Sequence, residues 1–225
     1  MNLNTHPSID TAERETILVL DFGSQYTQLI ARRVRELNVF SEILPWDISS
    51  DRIKEVNPKG VILSGGPESV TNNNTPRAPE IIFELGIPIL GICYGMQTLA
   101  EQFGGQVTSS KIKEFGHAQI TIENTSSLFE GFDIGSNIDV WMSHGDHVSS
   151  LPDAFNLIAS TESAPIAAME HAEKLIYALQ FHPEVTHTKE GSLVLENFVI
   201  KICNTSPNWK MDGLIAQKIY KIKDQ

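Results

Sequence analysis

A cysteine between two glycines carries the first chemical signal in this sequence. Cys93 stands in the stretch GICYG, which follows the apolar run IPIL and precedes a helical pattern that ends near Phe103. The pattern G-x-nucleophile-x-G is typical of a strand-to-helix turn that holds its nucleophile in a strained conformation. The helix N-terminus under the sulfur favours a thiolate. Because free cysteines are often just buried small residues, the stretch alone leaves reactivity and simple burial equally open.

A histidine and a glutamate further along could supply the base that a thiolate needs. His182 and Glu184 occur in FHPE, at the end of an alternating apolar segment. Pro183 favours an extended His182, and side chains two residues apart in an extended segment project to the same face. Glu184 can then orient the imidazole while His182 exchanges a proton with Cys93 and with a leaving group. These residues predict a Cys–His–Glu triad.

Attack on a carbonyl group creates an oxyanion, which needs hydrogen-bond donors. The turn SGGP at residues 64–67 ends a predicted strand that should lie beside the strand of Cys93. We expect a backbone N–H of this glycine turn and the N–H of Tyr94 to be the donors. The alternative is that SGGP forms an ordinary turn.

The histidines also allow a metal-binding interpretation. The segments HGDH at 144–147 and HPEVTH at 182–187 both mix histidine with carboxylates. Neither has the H-E-x-x-H or H-x-H-x-D-H spacing of common zinc sites, so metal catalysis is the minor alternative and no metal is expected.

The elements that must position these residues follow from the apolar pattern. Four apolar segments without strict alternation, separated by helical patterns, are ILVLDF, FSEILPWD, GVILSGG and IPILGIC. They predict a mostly parallel sheet with helices on both faces. From about Gln106 the segments alternate, as in AQITIE and LIYALQF, which predicts a mixed or antiparallel extension. A helix from about Gly191 to Cys203 should close this α/β domain.

Composition limits the classes of partner. The 225 residues include 17 Lys and Arg against 28 Asp and Glu, which gives a formal charge of −11 and argues against nucleic acid or an anionic membrane as the main partner. The two cysteines, Cys93 and Cys203, lie far apart and form no disulfide framework. Without a signal-peptide pattern or a long apolar run, the chain is expected in the cytoplasm.

We divide the chain into three parts. Residues 1–15 are expected to be a flexible leader, residues 16–205 the α/β domain, and residues 206–225 a linker helix. One face of that helix would carry an apolar stripe, which needs a partner surface. The stripe consists of Met211, Leu214, Ile215, Ile219 and Ile222.

Six motifs occur in a fixed order: DFGSQYTQLIARRVRE, SGGPESV, GICYGMQ, KEFGHAQI, WMSHGDHV and ALQFHPEVTHT. Together they resemble the class I, or triad, glutamine amidotransferases, and among these the glutaminase domains of GMP synthases. The resemblance covers about residues 16–205. It implies a flavodoxin-like fold that hydrolyses glutamine to glutamate and ammonia through a γ-glutamyl thioester, with the N–H groups of Gly66 and Tyr94 as oxyanion donors.

The same resemblance implies where glutamine binds. Its pocket would include Gln97, after the elbow, and Ser143, His144 and Asp146 in the segment SHGD. A carboxylate such as Asp146 suits the α-ammonium group of the substrate. The alternatives are that Gln97 is a solvated helix residue and that SHGD is a polar turn.

A partner is implied as well. GMP synthases of this kind continue into an ATP pyrophosphatase (synthetase) domain that aminates ATP-activated XMP to GMP, and the SGG-x-D-S loop of that domain does not occur before Gln225. We therefore expect an excised domain or a separate subunit, with residues 206–225 directed to the absent synthetase. No cofactor is expected here, ATP and Mg²⁺ being implied for the synthetase. A homodimer is one expected form of the full-length enzyme.

Two other functions fit parts of the pattern. A thiol hydrolase or cysteine peptidase on the same scaffold would also place Cys93 on an elbow, but it would not need SHGD. A non-catalytic regulatory module would keep the scaffold, and the presence of both Cys93 and His182 argues against it.

Overall fold

The computed structural model describes residues 14–210, apart from the side chains of residues 110–113. Most of the expected leader, 1–15, lies outside the described residues. The same holds for residues 211–225 of the expected linker helix, including its whole apolar stripe.

The first half of the domain alternates strands with helices. The elements are β1 (Thr16–Asp21), α1 (Thr27–Glu36), β2 (Phe40–Pro45), α2 (Ser50–Val56), β3 (Gly60–Leu63), α3 (Ile81–Glu84), β4 (Ile89–Ile92) and α4 (Tyr94–Gln102). Strand β1 pairs in parallel with β2 and β3, and β3 pairs in parallel with β4. The predicted parallel sheet is therefore confirmed.

The second half adds an antiparallel extension. Its strands are β5 (Gln106–Ile122), β6 (Asn137–Ser150), β7 (Phe155–Ser160), β8 (Ala168–His171) and β9 (Ile176–Leu179). Within the described part of the chain, one nine-stranded sheet has the order β2-β1-β3-β4-β9-β8-β7-β5-β6. Strand β9 joins β4 in parallel, and every pair beyond it is antiparallel. The predicted fold class is confirmed.

Two apolar cores lie on opposite faces of the sheet. Alternate residues of β1 divide between them, with Ile17 and Val19 in one core and Leu18 and Leu20 in the other. Helix α1 packs in the first core and α4 in the second. Since both faces of β1 are covered, its continuous apolar sequence is explained.

The chain returns over the first core at its end. The predicted closing helix consists of α5 (Gly191–Glu196) and a π-helical segment, Asn197–Ile202. No helix between residues 14 and 210 is long and apolar enough to cross a membrane.

Candidate active site

Cys93 lies at the turn between β4 and α4. Its φ of +54° and ψ of −105° are unusual for a residue with a side chain, and such strain costs on the order of 1–3 kcal/mol. The backbone is fixed on both sides, because the Cys93 N–H donates to Leu179 O at 2.7 Å and the Gln97 N–H donates to Cys93 O at 3.1 Å. The side chain is thereby turned out of the strand into a cavity.

The flanking glycines are required by close packing. A Cβ on Gly95 would lie 2.4 Å from Leu63 O, and a Cβ on Gly91 would lie 2.7 Å from the backbone of Gly95. A larger residue at Gly95 would push α4 away from β3, and one at Gly91 would push α4 away from β4. The spacing that identified the elbow in the sequence is therefore a packing requirement of the turn.

His182 and Glu184 meet behind Cys93. His182 Nδ1 lies 2.7 Å from Glu184 Oε1, and both side chains are almost completely buried. Strand β9 has already ended at Leu179, and Pro183 and Glu184 form a turn, so the expected extended course is wrong there. The turn, rather than strand alternation, brings the two side chains together.

Hydrogen bonds hold this turn in place. The Thr188 hydroxyl donates to His182 O at 2.6 Å, and Arg33 Nε of helix α1 donates to Glu184 O at 2.9 Å. The ring of Tyr26 contacts the His182 ring edge-on, with centroids 5.1 Å apart. The imidazole is thus positioned by several separate elements.

The electrostatics of His182 favour the imidazolium form. Burial would lower the pKa of His182, but the Glu184 carboxylate and the Cys93 sulfur outweigh burial and raise this pKa well above its ordinary value. Because a carboxylate only accepts hydrogen bonds, Nδ1 must carry a proton towards Glu184. Nε2 is left as the nitrogen that can exchange a proton at Cys93.

A cavity of about 540 Å³ opens above Cys93. Seven of the sequence-predicted site residues line it: Gly66, Cys93, Gln97, Ser143, His144, Asp146 and His182. Glu184 lies behind His182 instead. The Tyr94 side chain points into the core, where its hydroxyl donates to Pro76 O at 2.7 Å, so Tyr94 can contribute only its backbone.

The two expected oxyanion donors lie beside each other. A Cβ on Gly66 would come within 3.3 Å of Tyr94 Cγ and 2.7 Å of Phe22 O, so the turn packs directly against the elbow. Within residues 14–210, no protein acceptor is paired with the N–H of Gly66 or Tyr94, whereas the N–H of Gly95 donates to Ser64 O. Neither N–H group is therefore used in the backbone hydrogen bonding around the elbow.

The segment SHGD lies within β6, so its interpretation as a polar turn is wrong. It pairs with β5, which places His144 opposite Glu114 and Asp146 opposite Ser109 across a β-bulge. The Ser109 hydroxyl donates to Asp146 Oδ1 at 2.6 Å. Ser143 contributes its carbonyl oxygen, which lies 3.6 Å from Cys93 Sγ.

Gln97 is not a solvated helix residue, because only 3% of it is exposed. Its Nε2 donates to the carbonyl oxygen of Asp146 at 2.8 Å. This bond connects helix α4, which begins at the nucleophile, to the strand segment SHGD. The two halves of the predicted glutamine pocket are thus physically joined.

His144 is a buried histidine in the cavity wall. Its Nε2 lies 3.2 Å from Glu114 Oε2, a distance that would suit an ion pair. Burial nevertheless lowers the pKa of His144, although Glu114 acts in the opposite direction. Both ring nitrogens of His144 are buried, and neither makes a well-directed side-chain hydrogen bond among the described residues.

The two histidine-rich segments do not assemble a metal site among the described residues. No three side chains of His, Cys, Asp or Glu come together there in a way that could hold a metal ion. In the segment 182–187, the exposed His187 ring stacks on Trp141 instead, with centroids 4.4 Å apart.

Sequence reasoning missed two residues of this site. Tyr26 stands in the first of the six motifs, and Gln180 stands two residues before His182. Gln180 is fully buried, and its Nε2 lies 3.8 Å from Cys93 Sγ. The sequence did contain a signal for Gln180: a long polar side chain directly follows an apolar strand, and a polar group buried there needs a hydrogen-bond partner.

Comparison with known proteins shows similarity over most of this chain. The family described as glutamine amidotransferase class-I matches residues 18–202. A glutamine-hydrolysing GMP synthase of Hamiltonella defensa is 52% identical over 223 residues, which is 96% of this chain and 42% of the relative. Its counterpart in Teredinibacter turnerae is 54% identical over 217 residues, 94% of this chain and 41% of the relative. The chain therefore spans less than half the length of these curated relatives.

Solved structures include a relative of similar size. The crystal structure of a proposed GMP synthase subunit from Thermoplasma acidophilum superposes with a TM-score of 0.73 at 35% identity. The match covers 85% of this chain and 94% of that one.

Proposed function

Since the chain belongs to the class-I glutamine amidotransferase family, we propose that it hydrolyses glutamine with Cys93 as nucleophile, His182 as proton carrier and Glu184 as the support of His182. The observation that carries this proposal is the buried His182–Glu184 pair, 2.7 Å apart, of which His182 lies in the wall of the cavity into which the strained Cys93 projects.

The first half of the reaction forms a thioester. The Cys93 thiolate attacks the carboxamide carbon of glutamine, and the carbonyl oxygen becomes an oxyanion that accepts hydrogen bonds from the N–H groups of Gly66 and Tyr94. When the intermediate collapses, the C–N bond breaks and His182 Nε2 gives its proton to the departing ammonia. Glu184 stabilises the imidazolium before this transfer.

The second half releases glutamate. Neutral His182 removes a proton from water, and the resulting hydroxide attacks the thioester carbon. The C–S bond then breaks, and the Cys93 thiolate and protonated His182 are regenerated. Glutamate leaves the cavity.

Recognition of the amino-acid end of glutamine is assigned to the other side of the cavity. Asp146 is a carboxylate in the cavity wall whose orientation is set by Ser109. We place the substrate α-ammonium against this carboxylate, while Gln97, Ser143 and His144 shape the rest of the pocket.

Replacing Asp146 with asparagine should therefore raise the KM for glutamine about tenfold and change kcat little, because a ground-state ionic contact is lost. Steady-state kinetics with glutamine and with glutaramate, which lacks the α-amino group, test this assignment. Wild type should prefer glutamine strongly, and Asp146→Asn should lose most of that preference. Asp153→Asn, in the exposed loop after β6, is the matched control. An unchanged preference would remove Asp146 from substrate recognition.

The ammonia is proposed to pass to an ATP-dependent synthetase. The support is the length difference, because the GMP synthases that match this chain are more than twice as long. The partner, which would bind ATP and Mg²⁺ itself, would use ammonia to convert XMP to GMP.

A coupled assay tests both parts of this proposal. The chain is combined with the synthetase part of a related GMP synthase, and glutamate and GMP are measured with and without ATP, Mg²⁺ and XMP. We expect glutamate release that depends on Cys93, rises when the synthetase is supplied with its substrates, and is matched by GMP. Absence of such release would contradict the glutaminase proposal, and cleavage of peptides or esters instead would favour a thiol hydrolase.

A further inference from the structure

A buried glutamine outside the cavity lining approaches the nucleophile. Gln180 is completely inaccessible to solvent, and it does not belong to the cavity lining. Its backbone N–H donates to Ala167 O at 2.8 Å, which fixes the start of the side chain. The side-chain Nε2 lies 3.8 Å from Cys93 Sγ, within the range of an N–H···S hydrogen bond.

The direction of this amide is set by its neighbours. Asp146 O can only accept a hydrogen bond, so the Gln97 amide must turn its Nε2 towards that oxygen, at 2.8 Å. The same Nε2 lies 3.5 Å from Gln180 Oε1. Because Gln97 presents an N–H there, Gln180 must present its oxygen to Gln97 and its N–H groups to the sulfur.

Besides the contact with His182, the sulfur has two polar contacts with opposite preferences. Ser143 O lies 3.6 Å from Cys93 Sγ and, being an acceptor, can bond only to the protonated thiol. The Gln180 N–H is a donor, and its bond strengthens when the sulfur becomes negative. Deprotonation of Cys93 therefore weakens the contact with Ser143 and strengthens the contact with Gln180.

We propose that Gln180 is a hydrogen-bond donor that stabilises the Cys93 thiolate, and that Gln97 holds the Gln180 amide in the orientation which makes this possible. The proposal rests on the assignment of Cys93 as the nucleophile. An amide neither takes up nor releases a proton near neutral pH, so Gln180 assists Cys93 without competing with His182 for the proton.

The hydrogen bond from Gln180 to the Cys93 sulfur acts twice in the proposed reaction. It stabilises the thiolate before attack, weakens when the sulfur lone pair forms the C–S bond of the thioester, and returns when the C–S bond breaks and the thiolate leaves. Because the Gln97 amide also bonds to the substrate-binding segment at Asp146, a shift of that segment would alter the orientation of the amide beside the sulfur.

Several ionisable groups share the neighbourhood of Cys93 and also influence its protonation. His182, His144, Asp146 and Glu68 line the cavity with it, and Glu184 lies behind His182. All of them are retained when Gln180 alone is changed. A difference between wild type and a Gln180 variant therefore reports the amide itself.

The test replaces Gln180 with methionine, which has a similar length and no N–H donor. Alkylation of Cys93 by iodoacetamide is followed by mass spectrometry across pH, without any need for glutaminase activity. We expect the rate at neutral pH to fall about three- to tenfold and the midpoint of the pH profile to move to higher pH, as for loss of a hydrogen bond to a charged group. Glutamate release should fall by a similar factor.

The matched control is Gln102→Met at the far end of α4. The Gln102 amide is likewise engaged, accepting from Ala78 N at 3.0 Å and donating to Ala78 O at 2.9 Å, but it does not contact the sulfur. This variant should leave the alkylation profile unchanged. An unchanged profile in Gln180→Met would overturn the proposal, whereas a shifted profile in a protein without glutaminase activity would overturn only the proposed function.

A second measurement does not depend on the folding of the variant. In ¹⁵N-labelled wild-type protein, the side-chain N–H resonances of Gln180 should move as Cys93 loses its proton, and the same resonances in Cys93→Ala should not. Resonances that do not respond to the titration of Cys93 would contradict the hydrogen bond directly.

Discussion

Glutamate release is expected to fall by at least about 10⁴-fold when Cys93 is replaced with alanine, because no other group can form the thioester. Cys93 is the side chain that the elbow projects into the cavity beside His182. The measurement is glutamate formation in the coupled assay, together with a search for γ-glutamyl-Cys93 by mass spectrometry after rapid acid quenching. Wild type should show the adduct and Cys93→Ala should not.

Two controls separate loss of chemistry from loss of structure. Cys93→Ala should still bind glutamine in a calorimetric titration, since the pocket residues are retained. Cys203→Ala changes the other cysteine, which is buried away from the cavity and whose pKa burial raises well above its usual range. It should keep full activity per folded molecule and lose stability of about 1 kcal/mol. Substantial glutamate release by Cys93→Ala would refute the assignment of the nucleophile.

The parallel half of the fold could be predicted because its signals are local. Strands β1, β3 and β4 are short, apolar and buried on both faces, and helical patterns separate them. The elbow at Cys93 was predictable for the same reason, since the glycines that the packing requires lie within two residues of it. Local spacing thus encodes both the strand and the strained turn.

For the antiparallel extension, the sequence predicted that such strands exist but not which residues pair across them. Strands β5 and β6 are 17 and 14 residues long, and their register shifts between Ser109 and Glu114. Register depends on which residues meet across two strands, and a local pattern does not contain that information. SHGD could therefore be interpreted as a polar turn, although it lies in the middle of β6.

The surroundings of the sulfur were the least predictable part of the site. Gln180 and Cys93 are separated by 87 positions in the chain and meet only because β9 lies beside β4. Tyr26 reaches His182 from the turn before α1. Such contacts follow from the order of strands in the sheet, which the apolar pattern of each strand does not specify.

Replacing Glu184 with glutamine tests the support of His182. The substitution keeps the size of the side chain but removes the negative charge that stabilises the imidazolium, and it offers an N–H where Nδ1 needs an acceptor. We expect glutamate release to fall on the order of 10⁴-fold, by analogy with the loss of the acid in a catalytic triad. Cys93 and the cavity are retained, so alkylation of Cys93 by iodoacetamide should remain measurable. Near-normal activity would show that Glu184 has only a structural role.

The pH dependence of activity and stability shows in which direction Glu184 shifts the pKa of His182. In wild type, burial is outweighed by Glu184 and Cys93, so the pKa of His182 is raised, and activity that needs the imidazolium is lost only as the pH rises through this raised value. The stability that His182 contributes is likewise complete below its unfolded pKa of about 6.5 and is lost as the pH rises through the folded value. In Glu184→Gln both alkaline transitions, that of activity and that of stability, should move to lower pH.

Asp139→Asn is the matched control. It removes the acid from an exposed histidine pair, in which His117 Nε2 lies 3.0 Å from Asp139 Oδ1, and it should move neither the activity profile nor the alkaline transition of His182. If the two variants gave the same pH profile, the buried pair would have no special role, and the proton transfer assigned to His182 would lose its electrostatic basis.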